Sequence, residues 1–187
     1  MALNCHTCYF TFGRFQPPTT GHKQNFAGVK SAAGSHDYRI YISQSVDAKG
    51  SNPLPPGRKL FYMNKMFPEH KGHIYSGPRE PVAILQDIQL AGYNEVIFLV
   101  GSDRVSAMQW LHKYNGKDFR FRKISIESSG SRDADGDTFA ISGTKMRRAA
   151  KAGDFTAFRK GIPTSLNDRD CRSLMAEISM ALPKNFK

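Results

Sequence analysis

A chain of 187 residues, 40% hydrophobic and 23% charged, has the length and composition of one globular domain with a full core. No apolar run approaches membrane-spanning length and Met1-Ala2-Leu3-Asn4 does not open a signal peptide, so no membrane partner and a cytoplasmic location are expected. The formal charge of +11 favours polyanionic partners, either nucleic acid or nucleoside triphosphate, and three cysteines are too few for a disulfide framework.

Cys8 to Phe12 predicts a short strand. Cys5-His6-Thr7-Cys8 has C-x-x-C spacing, but no second ligand pair stands nearby and Cys8 starts a strand, so these read as two incidental thiols. Gly13-Arg14-Phe15-Gln16-Pro17-Pro18-Thr19-Thr20-Gly21-His22 follows and opens a helix from Thr20 to Ala33. A strand that feeds a Gly/Pro turn and a helix start gathers backbone N–H groups at the positive end of a helix dipole, which favours a bound phosphate. His22 adds a side-chain donor. Taken alone, the segment reads equally well as a βα-turn whose glycines only permit the turn.

Asp37 to Ser43 predicts a second strand, followed by a loop rich in Ser, Gly and Pro over Gln44 to Gly57. Gly57 to Phe67 reads as a helix with Leu60, Met63 and Phe67 on one side, and His73 to Tyr75 as a short strand. Arg79 to Ala91 carries Val82, Leu85 and Ile88 at helical spacing. The continuous run Val96-Ile97-Phe98-Leu99-Val100, within Asn94 to Val100, predicts a central parallel strand. Arg104 to Tyr114 is expected to be a helix and Phe119 to Glu127 a strand. Asp133, Asp135 and Asp137 read as a solvated loop, because Gly136 and the missing glutamate exclude an EF-hand. His70 and His73 make no zinc set, and Asp118 after Gly116-Lys117 excludes a P-loop.

Ile141-Ser142-Gly143-Thr144-Lys145-Met146-Arg147 opens a further helix, Ser142 to Ala152, with Ser142 as N-cap. Lys145, Arg147, Arg148 and Lys151 crowd its turns with almost no acidic partners. A cation near a helix start opposes the dipole, so Arg147 carries more meaning than an arginine elsewhere. Helices over Asp154 to Lys160 and Asp168 to Leu182 close the chain, the last with Cys171, Leu174, Met175, Ile178 and Leu182 as a core-facing stripe.

The alternation of strands and helices predicts an α/β class: a Rossmann-like, doubly wound parallel sheet in a single domain. The core spans 8–160 and a C-terminal helical extension 161–187. Ligands in such sheets bind outside the carboxyl ends of the strands, near the point where strand order reverses. The Gly13–Pro17 turn, Gly101-Ser102-Asp103 and the stretch before Ser142 all follow predicted strands and can converge there.

Two motifs in this order, G-R-F-x-P-x-(T/H)-x-G-H and I-S-x-T-x-x-R, resemble those of the nucleotidyltransferase superfamily of adenylyl- and cytidylyltransferases over about residues 8 to 160. Gly13-Arg14-Phe15-Gln16-Pro17 is most similar to nicotinamide mononucleotide adenylyltransferases. Its combination with Gly101-Ser102-Asp103-Arg104 and Tyr114-Asn115-Gly116-Lys117-Asp118 is similar to small nucleotidyltransferases of tailed bacteriophages. Thr19 stands where nicotinamide enzymes usually carry histidine, a variant similar to that of phosphopantetheine adenylyltransferases. Gly143 takes the third place of I-S-S-T, at the cost of a hydroxyl but no charge.

The resemblance implies transfer of a nucleoside monophosphate, AMP from ATP, to a phosphorylated acceptor such as nicotinamide mononucleotide, with release of pyrophosphate, a step of NAD biosynthesis. His22 then contacts the α- or β-phosphate, with Thr19 beside it on the triphosphate. Arg147, Ser142 and Thr144 hold the β- and γ-phosphates. Gly13, Arg14, Phe15 and Gly21 form the nucleotide-binding turn, Arg14 meeting a phosphate of either substrate. Gly101 and Asp103 border the ribose, although Asp103 reads equally as a helix cap. Trp110 reads as core packing in preference to a platform for the acceptor ring, and Asn52-Pro53-Leu54 with Arg58 resembles an N-P-F loop beside the acceptor. Magnesium travels with the triphosphate and needs few protein ligands. Nucleic acid is not required, and a homo-oligomer stays open. The alternatives are cytidylyl transfer to a small phosphorylated alcohol, or a non-catalytic virion or nucleic-acid-binding module on the same fold.

Overall fold

In the computed structural model, which describes residues 6–129 and 141–186, five strands form one wholly parallel sheet: β1 (Thr7–Gly13), β2 (Asp37–Ile42), β3 (Ile74–Tyr75), β4 (Glu95–Val100) and β5 (Lys123–Ser128). Their order is β3-β2-β1-β4-β5. The chain steps outward from β1 through β2 to β3, then returns to lay β4 on the other side of β1 and β5 beyond it. The reversal therefore falls between β1 and β4, which pair from Thr7 opposite Glu95 to Phe10 opposite Phe98.

Both faces of the sheet are covered, so the central strands are mainly apolar, with Thr7 and Thr11 of β1 as buried exceptions. Ile97 and Leu99 of β4 point into one core with Ile40 and Ile42 of β2. That side is closed by α1 (Gly21–Ala33), α2 (Pro56–Met66), α5 (Gly143–Ala152), α6 (Phe155–Lys160) and α7 (Asp168–Ala181), through residues such as Phe26, Met63, Met146, Phe158 and Leu174. Val96, Phe98 and Val100 point the other way, with Phe10, towards Ile84, Leu85 and Ile88 of α3 (Pro81–Leu90). The two-residue side-chain period of a strand produces this division.

Three sequence expectations shift. The buried stripe of α2 is Lys59, Tyr62, Met63 and Met66, with Leu60 half-buried, so the inward face is turned towards Lys59 and Tyr62 and away from Leu60. Residues 104–114 do not form one helix: a 3-10 turn (Ser102–Arg104), the four-residue α4 (Val105–Met108) and a second 3-10 segment (Gln109–Tyr114) share the stretch. No side chain caps any of these starts and Leu111 is their one buried residue, with Val105 and Met108 only partly buried against the same core, so little holds the stretch as a continuous α-helix. Strand β5 begins at Lys123 instead of Phe119. Phe119 and Phe121 pack into the second core from a loop held by Asn115, whose amide exchanges hydrogen bonds with the Phe121 N–H at 2.9 Å and carbonyl at 3.1 Å.

Candidate active site

The β1–α1 turn is built around Phe15. Its φ of 48° is rare for a residue with a side chain, and it sends the ring back under Gly13. A Cβ on Gly13 would lie 2.5 Å from that ring. The ring in turn meets His22 edge-on at 5.0 Å and Phe26 at 5.2 Å. Glycine at 13 and phenylalanine at 15 thus form the floor on which His22 rests.

Thr19 is 2% exposed and holds the other side of that imidazole. Its main-chain N–H donates to His22 Nδ1 at 3.0 Å, and its hydroxyl lies 3.0 Å from the same atom. An Nδ1 that accepts from a main-chain N–H carries no proton, so the ring proton sits on Nε2. The expected gathering of main-chain donors is largely engaged within the protein. Thr20 N–H donates to Gly161 O, and those of His22 and Lys23 close on Thr19 O and Thr20 O, all at 3.0 Å.

The start of α5 lies against this turn. Ser142 caps it as expected, its hydroxyl accepting from Lys145 N–H at 3.2 Å. Arg147 reaches from the first turns of α5 to donate from Nη1 to Gln16 O at 2.7 Å, and from Nη2 to Thr144 Oγ1 at 3.1 Å. Gly143 is needed for that approach: a Cβ there would stand 2.9 Å from Gln16 O and 3.2 Å from Arg147 Nη1. Its place in the motif is a steric requirement as well as a lost hydroxyl. Gln16, wholly inside, exchanges two 3.0 Å hydrogen bonds with the main chain of Leu54 and so ties the turn to the 44–57 loop.

Like charges meet here. Burial, and then the charge of Arg14, push the Arg147 guanidinium down from its ordinary range, with Asp47 opposing. Its Nε is buried without a hydrogen-bond partner among the described residues. Asp47 is shared with its own loop, accepting from Ser51 N–H at 2.9 Å and Asn52 Nδ2 at 2.5 Å. Two arginines with incomplete compensation thus stand at the turn that also carries His22 with its proton on Nε2, and all three side chains are donors of the kind that oxyanions accept from. The ring of Phe186 lies 5.9 Å from Arg147 on the outer side.

Gly101 follows β4 at the neighbouring carboxyl edge, and Asp103 is exposed in the 3-10 turn after it, where it caps no helix. The capping role for Asp103 is thereby set aside. Core packing is likewise wrong for Trp110, which is 38% exposed and edge-on to Tyr114 at 5.5 Å. Gly21 opens α1 with no steric need for glycine, a Cβ there lying 3.7 Å from Thr19 Oγ1. Asp133, Asp135, Asp137 and Cys5 lie outside the described residues, and Cys8 and Cys171 are buried free thiols. His70 is buried against Tyr38 Oη at 3.0 Å, and among the described residues no three His, Cys, Asp or Glu side chains are grouped to hold a metal. A cavity of about 700 Å³ lies behind the α1 start, lined by Thr20, Lys23, Met66, Phe155, Ile162 and Pro163, and includes neither His22 nor Arg147.

Sequence reasoning left out Gln16, Gly161, Asp47 and Lys59. Gln16 lies inside the first motif, so its position was visible although its partner was not. Lys59 shares helical spacing with Tyr62, Met63 and Met66, which was the available signal for its burial.

No protein-family model matches the chain, and no curated protein sequence matches it. Its fold is similar to two solved structures of Plasmodium falciparum nicotinic acid mononucleotide adenylyltransferase. The one complexed with NaAD has a TM-score of 0.57 at 14% identity, covering 97% of this chain and 98% of that chain. The one complexed with APC has a TM-score of 0.56 at 14% identity, with the same coverage of 97% and 98%. At such identity the likeness is one of architecture: the chain is a single α/β domain with a Rossmann-like, wholly parallel sheet.

Proposed function

We propose that this protein is a nucleotidyltransferase that moves AMP from ATP to a phosphorylated acceptor such as nicotinamide or nicotinic acid mononucleotide. The observation that carries the reading is the convergence of His22, oriented by Thr19, with Arg147, drawn onto Gln16, at the carboxyl edge of β1 beside the reversal point.

An acceptor phosphate oxygen attacks the α-phosphorus, a P–O bond forms, and the bond from that phosphorus to the β-bridging oxygen breaks with its electron pair leaving on pyrophosphate. The acceptor is already an anion, so no base is required. Catalysis rests on alignment and on fixed positive charge. His22 Nε2–H donates to an oxygen of the α- or β-phosphate, where charge builds. Arg147 and Arg14, with the Ser142 and Thr144 hydroxyls, hold the β- and γ-phosphates. Asp103 receives the ribose hydroxyls, and exposed Trp110 offers a face to the acceptor ring. Magnesium enters as part of the triphosphate substrate, ligated chiefly by phosphate oxygens and water.

Pyrophosphate release tests this, crossing ATP and CTP against both mononucleotides and a set of phosphorylated alcohols, with His22→Ala as control. Turnover with one pair, lost in the control, establishes the activity and its substrates. A chain that binds no triphosphate is a non-catalytic module. CTP turnover with an alcohol phosphate moves the assignment to cytidylyl transfer.

A further inference from the structure

Lys59, in α2, has no exposed surface. Its Nζ donates to Ser43 O at 2.5 Å and lies 3.3 Å from Ser43 Oγ. Among the described residues it forms no ion pair, and burial alone draws its ammonium down to about 8. The charged groups on the surrounding elements are turned elsewhere. Arg58 of the same helix pairs with Glu177 of α7, and Lys65 with Asp170. Arg39 of β2 pairs with Asp37 and Asp87, while Asp47 in the following loop is held by Ser51 and Asn52.

A buried ammonium without a counter-charge is costly, and a methionine of similar length would fill the same space without that cost. The position of the charge supplies a reason for it. Ser43, immediately past β2, donates its N–H to Gly13 O at 2.8 Å. The ammonium therefore stands two hydrogen bonds from Gly13, behind the turn whose outer side carries Arg14 and His22. A charge in this dry position is weakly screened and acts on bound anions more strongly than a surface lysine does.

We propose that Lys59 is a buried positioning residue for the phosphate groups bound over the Gly13–His22 turn, the substrate being its missing counter-charge. The proposal rests on the phosphate-binding reading above. It requires linkage: the bound anion favours the charged ammonium, so substrate binding takes up a proton where free Lys59 is partly neutral.

Calorimetric titration with ATP and magnesium, in two buffers of different ionisation enthalpy, counts that proton. At about pH 8.5 the wild-type protein is expected to take up roughly half a proton or more. Lys59→Met is expected to take up none and to bind about fivefold more weakly or worse, having lost a weakly screened charge. Lys59→Arg is expected to keep most of the affinity and take up none, because a guanidinium does not titrate there. Equal affinity and equal uptake in folded Lys59→Met, with wild-type binding intact, overturns the role of Lys59 and leaves the site standing. Should Lys59→Met not fold, uptake that persists in Lys59→Arg has the same consequence. Absence of ATP binding by the wild-type protein overturns the phosphate site and Lys59 with it.

Discussion

Thr19 presents both its main-chain N–H and its hydroxyl to His22 Nδ1, each at 3.0 Å. The first contact assigns the ring proton to Nε2, and the second sets the threonine side chain against the same ring nitrogen. Thr19→Val keeps the N–H contact and removes the hydroxyl. Its turnover is expected to fall about tenfold, the worth of one hydrogen bond. His22→Ala is expected to lose about 2–4 kcal/mol of transition-state stabilisation, as other preorganised donors do. Steady-state pyrophosphate release, with thermal melts as a control for folding, checks both. Wild-type rates in two well-folded variants would remove this turn from the chemistry.

Gly143→Ser restores the I-S-S-T form of the motif and is nevertheless expected to impair the protein. The new Cβ crowds Gln16 O and Arg147 Nη1 at the place where α5 meets the turn. A destabilisation of about 1–3 kcal/mol is expected from such overpacking, with a raised KM for the triphosphate as Arg147 is displaced. Urea denaturation and steady-state kinetics measure the two effects, and a fully active, equally stable serine variant would contradict this account of Gly143.

Trp110, the single tryptophan, is exposed, so Trp110→Ala should change stability by less than about 0.5 kcal/mol. If its face receives the acceptor, the variant raises the acceptor KM severalfold and leaves that for ATP unchanged. The same residue reports directly: its emission should shift to the blue when the acceptor binds. Emission unmoved by a saturating acceptor would place that ring elsewhere.

Lys59 also sets an alkaline trend in stability. Its folded value of about 8 lies below its ordinary 10.5, so between these values the unfolded chain binds more protons and stability rises with pH. Cys8, raised by burial from 9.0 to about 12, acts in the opposite direction above pH 9. The difference between wild type and Lys59→Met isolates the lysine. The advantage of the methionine variant in urea melts should narrow by about 1 kcal/mol from pH 7 to 9. A constant difference across that range would show that Lys59 does not titrate there.

Much of the architecture was legible because its signals are local. The β4 run, the stripe of α7, the Ser142 cap and the turn after β1 are each written within a dozen neighbouring residues. Spacing and capping chemistry report them directly. The broken helix after Asp103 was not legible, since Val105, Met108 and Leu111 keep helical spacing and pack on the second core although the backbone between them tightens into 3-10 turns. The loop at Phe119 was misread as strand for a related reason. Aromatic residues read alike whether they sit in a ladder or fill a core from a side-chain-clamped turn.

The sequence by itself determined the class of fold and where along the chain the two motif segments and their basic and hydroxyl side chains stand. Tertiary structure alone decided how those side chains are held: Gly13 makes room for Phe15, Gly143 lets α5 approach Gln16, and Gly161 takes the Thr20 N–H. It also decided that Lys59 is inside and Trp110 outside. Of those three glycine contacts, the last two join residues far apart in the chain, and all three depend on the packed turn. Their energies come from excluded volume and from removing polar groups from water, and neither exists until the chain has closed around them.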